Sequence, residues 1–194
     1  MRKEEFYSSL TTYKIIATVT QEKYIEKVLE HKVSGVFLFT GNIGTIKRYV
    51  DFYKSHNLFV FLHLEKIREL QSNKESLEFV ANYIKPTGII STKTTMIQQA
   101  KKHNLLTIQR LFLIDFDALY TGIESFQEMK PDAIELLPGL LPDIVATVKQ
   151  QTDIPIITGG LISTREQMIA SIQKGAMAVS TGNPKLWGED LTNG

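Results

Sequence analysis

The 194-residue chain contains no cysteine. This absence excludes a disulfide scaffold, a thiolate nucleophile and a cysteine-ligated metal site. Long apolar runs are also missing, because stretches such as residues 58–62 fall far short of the ~20 residues that a membrane span needs. The charged start of the chain, Met1 to Phe6, lacks the apolar segment of a signal peptide. We therefore expect a cytoplasmic protein.

An excess of one charge is absent as well. Lys plus Arg number 22 and Asp plus Glu number 21, which leaves a formal net charge of +1. No global field draws such a protein onto nucleic acid, so any such site must be a local patch. The hydrophobic share of 43% and the charged share of 22% are those of a globular protein. This length predicts a single domain over residues 1–194.

Eight short apolar runs alternate with stretches that have helical spacing. Continuous runs rich in Val, Ile and Phe are typical of strands buried on both faces of a parallel sheet. Successive runs start 17 to 30 residues apart, room for a strand, a helix and two short loops. The pattern predicts an α/β fold, a compact (βα)8 TIM-barrel-like single domain, with an open doubly wound sheet as the rival. The predicted strands cover residues 15–19, 36–39, 58–62, 88–90, 105–108, 133–137, 155–157 and 176–179.

Local signals mark three helix ends. Residues 72–75 and 163–166 both read S-x-x-E, the pattern of a capping box whose serine is the first residue. Gly175 stands where a helix would end before the eighth strand. Because the chain is short for this fold, some of the helices must be brief.

Polar residues and glycines follow the predicted strands, at the end where barrels of this kind carry their sites. Gly159 and Gly160 after the seventh strand let the backbone approach a ligand closely. Ser180 and Thr181 after the eighth strand offer hydroxyls and amides, and Pro184 suits the first turn of a short helix. We predict a phosphate site at Gly159, Gly160, Ser180 and Thr181, although a tight turn alone would also explain the two glycines.

Four more side chains are candidates for the rest of the ligand. Glu135 lies inside an apolar strand, and a buried carboxylate there must bind a ligand or pair with a cation such as Lys93. Lys93 itself fits a phosphate partner, a Schiff-base lysine or a solvated loop residue. His63 and Gln109 end strands and can donate hydrogen bonds to a ligand. No metal site is predicted, because the four histidines lack paired spacing with carboxylates.

Five segments resemble the glycerol-3-phosphate-responsive transcription antiterminator family. The likeness runs through about residues 33–188 in the same order. The segments are 88–93 (GIISTK), 107–115 (TIQRLFLID), 131–139 (PDAIELLPG), 154–162 (IPIITGGLI) and 175–183 (GAMAVSTGN).

The resemblance implies a barrel-like regulator of glycerol uptake and metabolism genes, not an enzyme. It implies glycerol 3-phosphate as the effector, no other cofactor, and leader mRNA as the partner. With the effector bound, such a protein acts on the leader mRNA and prevents a terminator hairpin from stopping transcription. By the same resemblance, the glycine and Ser-Thr loops would take the phosphate. Glu135, His63, Lys93 and Gln109 would face the glycerol hydroxyls or the anion, and no residue is assigned a catalytic role.

This sequence departs from the family pattern at four places. The first strand ends at Thr20, where an arginine is usual, and Asn42 stands in place of an aspartate. Glu65 replaces an aspartate after the third strand, and Gly182 replaces a serine after the eighth. The loss of the arginine and of a hydroxyl weakens the expected anion binding and bears on which effector is bound.

Two other functions fit the residues. A phosphate-handling enzyme of the isomerase, epimerase or aldolase type could use Glu135 as base and Lys93 as electrophile. A metabolite-binding module could instead control a protein partner or form a homo-oligomer, which a large exposed apolar patch would favour. RNA binding would have to draw on scattered basic residues: Lys47, Arg48, Lys101, Lys102, His103 and Lys149.

Overall fold

The structure, a computed structural model, describes residues 3–191 as a closed barrel of eight parallel strands. Each strand pairs with the next along the chain, and the last pairs with the first, with Ser180 beside Ile16. This closure confirms the predicted TIM-barrel-like fold over the open sheet. The strands are β1 (Ile15–Val19), β2 (Gly35–Leu38), β3 (Val60–Leu62), β4 (Gly88–Ser91), β5 (Leu106–Phe112), β6 (Ala133–Leu137), β7 (Ile156–Gly159) and β8 (Ala178–Thr181).

Seven α-helices accompany the strands over the described residues. They are α1 (Lys3–Tyr13), α2 (Ile46–Ser55), α3 (Lys74–Phe79), α4 (Thr94–Lys102), α5 (Phe116–Met129), α6 (Pro142–Lys149) and α7 (Arg165–Gln173). A π-helical turn, Val80–Ile84, continues α3. None of the helices described is long and apolar enough to cross a bilayer.

The first and last βα units contain no α-helix, contrary to the expected helix after every strand. Two 3-10 helices, Glu22–Tyr24 and Glu26–Glu30, follow β1, and a single 3-10 turn, Pro184–Leu186, follows β8. Another 3-10 turn, Leu64–Lys66, follows β3. These short connections explain how so short a chain closes an eight-stranded barrel.

The helix α1 precedes the barrel and closes its amino end, a feature the sequence analysis did not predict. Phe6 and Leu10, one helical turn apart, are completely buried. The Phe6 ring lies 5.3 Å from that of Phe59 and 4.9 Å from that of Phe61, inside the barrel. The Tyr7 hydroxyl donates to the carbonyl of Asp132, just before β6, and ties the helix to the strand ends.

Strand alternation separates two layers of side chains. Ala133 on β6 belongs to the cluster inside the barrel, whereas Ile134 and Leu136 pack outward against α5 and α6. Apart from the end of β5, both faces of the strands are largely buried, which explains the continuous apolar runs. It also follows that Glu135, two residues after Ala133, faces the interior.

The helix ends differ by one residue from the sequence prediction. Asn73, not Ser72, caps α3, since its side chain accepts from the Ser76 amide. Thr164, not Ser163, caps α7 and forms a capping box with Gln167. In both segments the serine is followed by another residue that caps helices well, so the sequence allows either position as the N-cap, and the structure uses the second. Gly175 ends the segment after α7 with φ +108°, as predicted.

Candidate functional site

A buried carboxylate occupies the carboxyl end of the barrel. Glu135 is 1% exposed, and both of its oxygens have partners. Ser180 Oγ donates to Oε1 at 2.5 Å, and Arg110 Nε donates to Oε2 at 2.5 Å. An ionised carboxylate is costly to bury unless it is paired in this way. The group Arg110–Glu135–Ser180 is therefore a charged cluster built across β5, β6 and β8.

Arg110 is the functional side chain that sequence reasoning missed. It lies beside Glu135 in the register of β5 and β6, and its guanidinium centre is 5.1 Å from the Phe39 ring and 5.5 Å from the Phe112 ring. The contact with Glu135 uses Nε, so the two terminal nitrogens remain available as donors to a ligand. The predicted strand ended at Ile108, whereas β5 runs on to Phe112 and so carries Arg110 into the barrel wall.

Gln109 lies on the opposite face of β5 from Arg110. Its Nε2 donates to Ser125 Oγ on α5 at 2.7 Å, so the side chain lies between the sheet and the outer helices. Successive strand residues point to opposite faces, and only one of Gln109 and Arg110 can face the interior. The structure therefore does not bring Gln109 together with the other predicted ligand residues.

A second charged cluster lies across the mouth, on the loops after β3 and β4. Glu65 Oε2 is 2.8 Å from His63 Nδ1, and Glu65 Oε1 is 3.1 Å from Lys93 Nζ. The His63 ring contacts the Phe39 ring edge to face at 5.1 Å. Because Phe39 also lies under Arg110, this one aromatic ring separates the two clusters.

The environment keeps His63 neutral and Glu65 charged. Burial lowers the pKa of His63 to about 4; Glu65 opposes that shift, while Arg110 and Lys93 add to it. Burial alone would raise the pKa of Glu65, but the net shift is downward, because Lys93 donates a hydrogen bond to the carboxylate and carries a positive charge. The imidazole can thus donate or accept one hydrogen bond without adding charge at pH 7.

The four residues predicted to bind phosphate do not all face the barrel interior. Gly159 is buried beside the carboxylate, and a Cβ there would lie 2.1 Å from Ser180 Oγ and 2.8 Å from Glu135 Oε1. Gly160 is exposed with φ +74°, and Ser180 faces inward to Glu135. Thr181, the next residue of β8, has the outward direction, and its hydroxyl accepts from the Asn183 amide.

The loop after β8 offers fewer free amides than the sequence predicted. The Asn183 amide donates to Thr181 Oγ1, and the Lys185 amide donates to the side chain of Asn183. Ser180 already donates its proton to Glu135. The positive charge for an anion at this mouth must therefore come mainly from Arg110 and Lys93. Over residues 3–191 no three His, Asp or Glu side chains come close enough together to hold a metal ion.

Comparison with known protein families shows to which family the chain belongs. A family model described as "Glycerol-3-phosphate responsive antiterminator" matches residues 15–187, which is nearly the whole barrel. The chain belongs to this family. The resemblance found in the sequence motifs is thereby confirmed, and membership of this family supports the regulatory class of function.

Solved structures and curated relatives agree with the membership of this antiterminator family. The glycerol uptake operon antiterminator regulatory protein of Listeria monocytogenes is 38% identical, with a TM-score of 0.85 over 91% of this chain and 95% of that one. A glycerol uptake operon antiterminator-related protein of Thermotoga maritima is 26% identical, with a TM-score of 0.78 over 89% and 96% of the two chains. The uncharacterized protein YgcP of Escherichia coli is 28% identical over 89% of this chain and 91% of its own.

Proposed function

We propose that this protein binds glycerol 3-phosphate at the carboxyl end of its barrel and then acts on leader mRNA of glycerol uptake genes, preventing premature termination in the cytoplasm. Membership of a glycerol-3-phosphate-responsive family supports the effector. The observation that carries the placement is the buried Arg110–Glu135–Ser180 cluster at the mouth.

The chemistry of the mouth suits a small phosphorylated polyol. Arg110 presents the two free terminal nitrogens of its guanidinium, a geometry that matches a phosphate. Lys93 is about half exposed and can turn from Glu65 towards an anion. Glu65 can accept hydrogen bonds from hydroxyls, and neutral His63 can add one more. Arg110 and Lys93 would then supply the positive charge that is missing here because Thr20 stands where the family usually has an arginine.

The phosphate would lie near Gly159, Gly160 and Ser180, within reach of Arg110. Gly160 is exposed at the edge of the mouth, and a Cβ there would crowd Leu137 at 3.2 Å, so the glycine keeps this edge free of a side chain. Thr181 would support the neighbouring loop after β8 from outside, because its hydroxyl accepts a hydrogen bond from the Asn183 amide. Binding can change activity only through different affinities of two protein states for the effector.

The RNA-binding part of the proposal draws on basic residues of several elements. Lys47 on α2 is paired with Asp51, and Lys101 on α4 donates to the carbonyls of Met129 and Lys130. These lysines are exposed or nearly so, but they do not form one continuous stripe. Contacts with phosphates would make RNA affinity fall steeply with salt, through counterion release.

Isothermal titration with glycerol 3-phosphate, with glycerol and inorganic phosphate as controls, tests the effector. Selective binding without turnover is expected. Turnover would favour a phosphate-handling enzyme that uses Glu135 and Lys93, and an absence of binding at millimolar concentrations would overturn the effector assignment.

Two substitutions test the placement. Gly160→Asp adds a side chain and a like charge, whereas Gly160→Asn adds almost the same volume without the charge. We expect the aspartate variant to bind glycerol 3-phosphate at least about tenfold more weakly than the asparagine variant. Equal affinities, or wild-type affinity in the aspartate variant, would place the phosphate elsewhere.

The RNA step has its own measurement. Leader-RNA affinity is measured with and without glycerol 3-phosphate at several salt concentrations. An effector-dependent affinity with a negative salt slope is expected. Effector binding with no effect on RNA would leave the sensor part intact and overturn the RNA part.

A further inference from the structure

A large apolar surface lies beside the mouth, on the loops after β5, β6 and β7. Among the described residues ten large apolar side chains are exposed, and seven of them fall within residues 112–161. The most exposed are Ile114 at 83%, Leu161 at 75% and Phe116 at 66%. Tyr13, Ile43 and Tyr83, by contrast, are exposed singly on separate elements, which is ordinary for a protein surface.

The side chains of these three loops are neighbours in space. Ile114, Phe116 and Leu141 line one cavity of about 190 Å³ between the starts of α5 and α6. Phe116 and Tyr120 stack with ring centroids 6.3 Å apart. The Gly139 amide donates to the Gly160 carbonyl and joins the loop after β6 to the loop that carries Leu161. We call the exposed side chains of these linked loops the apolar surface: Phe112, Ile114, Phe116, Tyr120, Leu141 and Leu161.

The area of the apolar surface matches one half of a stable interface. With about 150–250 Å² for each large side chain, the exposed fractions amount to roughly 700 Å². The largest patch on a typical monomer is about 300–600 Å². A standard protein interface buries about 800 Å² on each partner.

The charges around the apolar surface argue against RNA as its occupant. Asp115 and Asp117 lie at the start of α5, and Glu124 lies one turn beyond Tyr120. Asp143 lies at the start of α6, where Lys174 pairs with it and offsets its charge. The three carboxylates on and before α5 would repel phosphates. A protein surface that is itself apolar fits better.

We propose that the apolar surface binds the same surface of a second copy of this chain, which makes the protein a two-fold dimer. In a two-fold interface one patch must be complementary to itself. This patch has both parts, since the cavity beside Ile114 and Leu141 adjoins projecting aromatic rings at Phe116 and Tyr120. The proposal requires neither the effector nor RNA.

The dimer places its interface next to the effector site. Phe112 belongs to the apolar surface, and its ring also contacts the guanidinium of Arg110. In a two-fold pair the acidic residues around both patches approach one another, so added salt should strengthen the association by screening. This salt dependence is opposite to that expected for RNA or for a basic protein partner.

Sedimentation equilibrium over roughly 1–100 µM protein tests the proposal. The wild-type protein is expected at twice its 22.0 kDa mass, more firmly at high salt. Ile114→Glu and the double variant Ile114→Glu/Phe116→Glu should weaken the dimer at least about tenfold. The matched control, Ile43→Glu, alters an apolar residue of 47% exposure on another loop and should leave the dimer unchanged.

Circular dichroism of each variant checks that the fold is intact. Hydrogen exchange of the wild-type protein provides a measurement without any substitution. Residues 112–120 and 139–145 should exchange more slowly at high than at low protein concentration. A wild-type protein that stays at 22.0 kDa throughout, or a dimer that persists in the double variant, would overturn the proposal.

Discussion

The two ends of the barrel are filled by opposite kinds of side chain. At the amino end α1 inserts Phe6 and Leu10 among buried aromatic rings, and the cluster there is apolar. At the carboxyl end Glu135 and Arg110 form a buried ion pair, and Glu65 pairs with Lys93 at the rim.

The contrast separates stability from function within one fold. Apolar burial at the closed end stabilises the protein without directional requirements. Charges at the open end require partners at fixed distances, and they stabilise the fold only while every partner is present. Four substitutions or conditions can test this division, from the largest expected effect to the smallest.

Phe6→Ala tests the closed end. Removing a completely buried ring leaves a cavity, and we expect a loss of about 4 kcal/mol in the free energy of unfolding, measured with urea. Affinity for glycerol 3-phosphate in the folded protein should be unchanged. The exposed Tyr13 on the same helix is the control, because Tyr13→Ala should cost no more than about 0.5 kcal/mol. A large loss of effector affinity in Phe6→Ala would show that the two ends are coupled.

Glu135→Gln tests the open end. A glutamine cannot accept from both Ser180 and Arg110, and it leaves the guanidinium without its counter-charge. We expect a loss of about 3 kcal/mol in urea unfolding, because one partner of a buried pair is removed. Effector affinity should fall at least tenfold as Arg110 turns away. Glu124→Gln, on the exposed face of α5, should change neither quantity, and an effect of Glu135→Gln on stability alone would contradict the assigned site.

Acid should weaken the open end selectively. The folded protein holds the pKa of His63 at about 4, below its ordinary value of 6.5, so the unfolded chain binds more protons between these pH values. The contribution of this group to stability is therefore fully present above pH 6.5 and is lost as the pH falls towards 4, by on the order of 3 kcal/mol. Urea unfolding of wild type and His63→Gln across this range measures the difference. Parallel stability curves for the two proteins would contradict a buried neutral histidine.

Thr164→Ala tests a cap that belongs to neither cluster. Loss of the bond from the Gln167 amide should cost about 1 kcal/mol in urea unfolding. Ser163→Ala should cost less, because Ser163 is outside the cap and contacts only the Gln167 side chain. A larger loss of stability in Ser163→Ala than in Thr164→Ala would instead support Ser163 as the cap, as predicted from the sequence. Neither change should alter effector affinity.

Much of the fold could be predicted because the strands are buried on both faces. In a run such as residues 133–137, the side chains directed to the barrel interior and those directed to the outer helices are both apolar. The single charged residue of the run, Glu135, is therefore easily recognised as a candidate site residue. Arg110 was not predicted, because its neighbour Gln109 is equally polar and only the pairing of β5 with β6 decides which of them faces inward. The helix α1 was missed because its two core residues, Phe6 and Leu10, are too few to distinguish it from a charged tail.

The sequence by itself determined the order of strands along the chain and the family, since these depend on local apolar runs and on motifs that occur in a fixed order. Closure of the barrel was decided by the tertiary structure, in which β8 pairs with β1. Only the tertiary structure decided which polar residues share the mouth. Strand register and side-chain parity place Arg110 beside Glu135, separate Ser180 from Thr181, and gather the exposed apolar residues of three loops into one surface. Such contacts join residues far apart in the chain, so no local pattern records them.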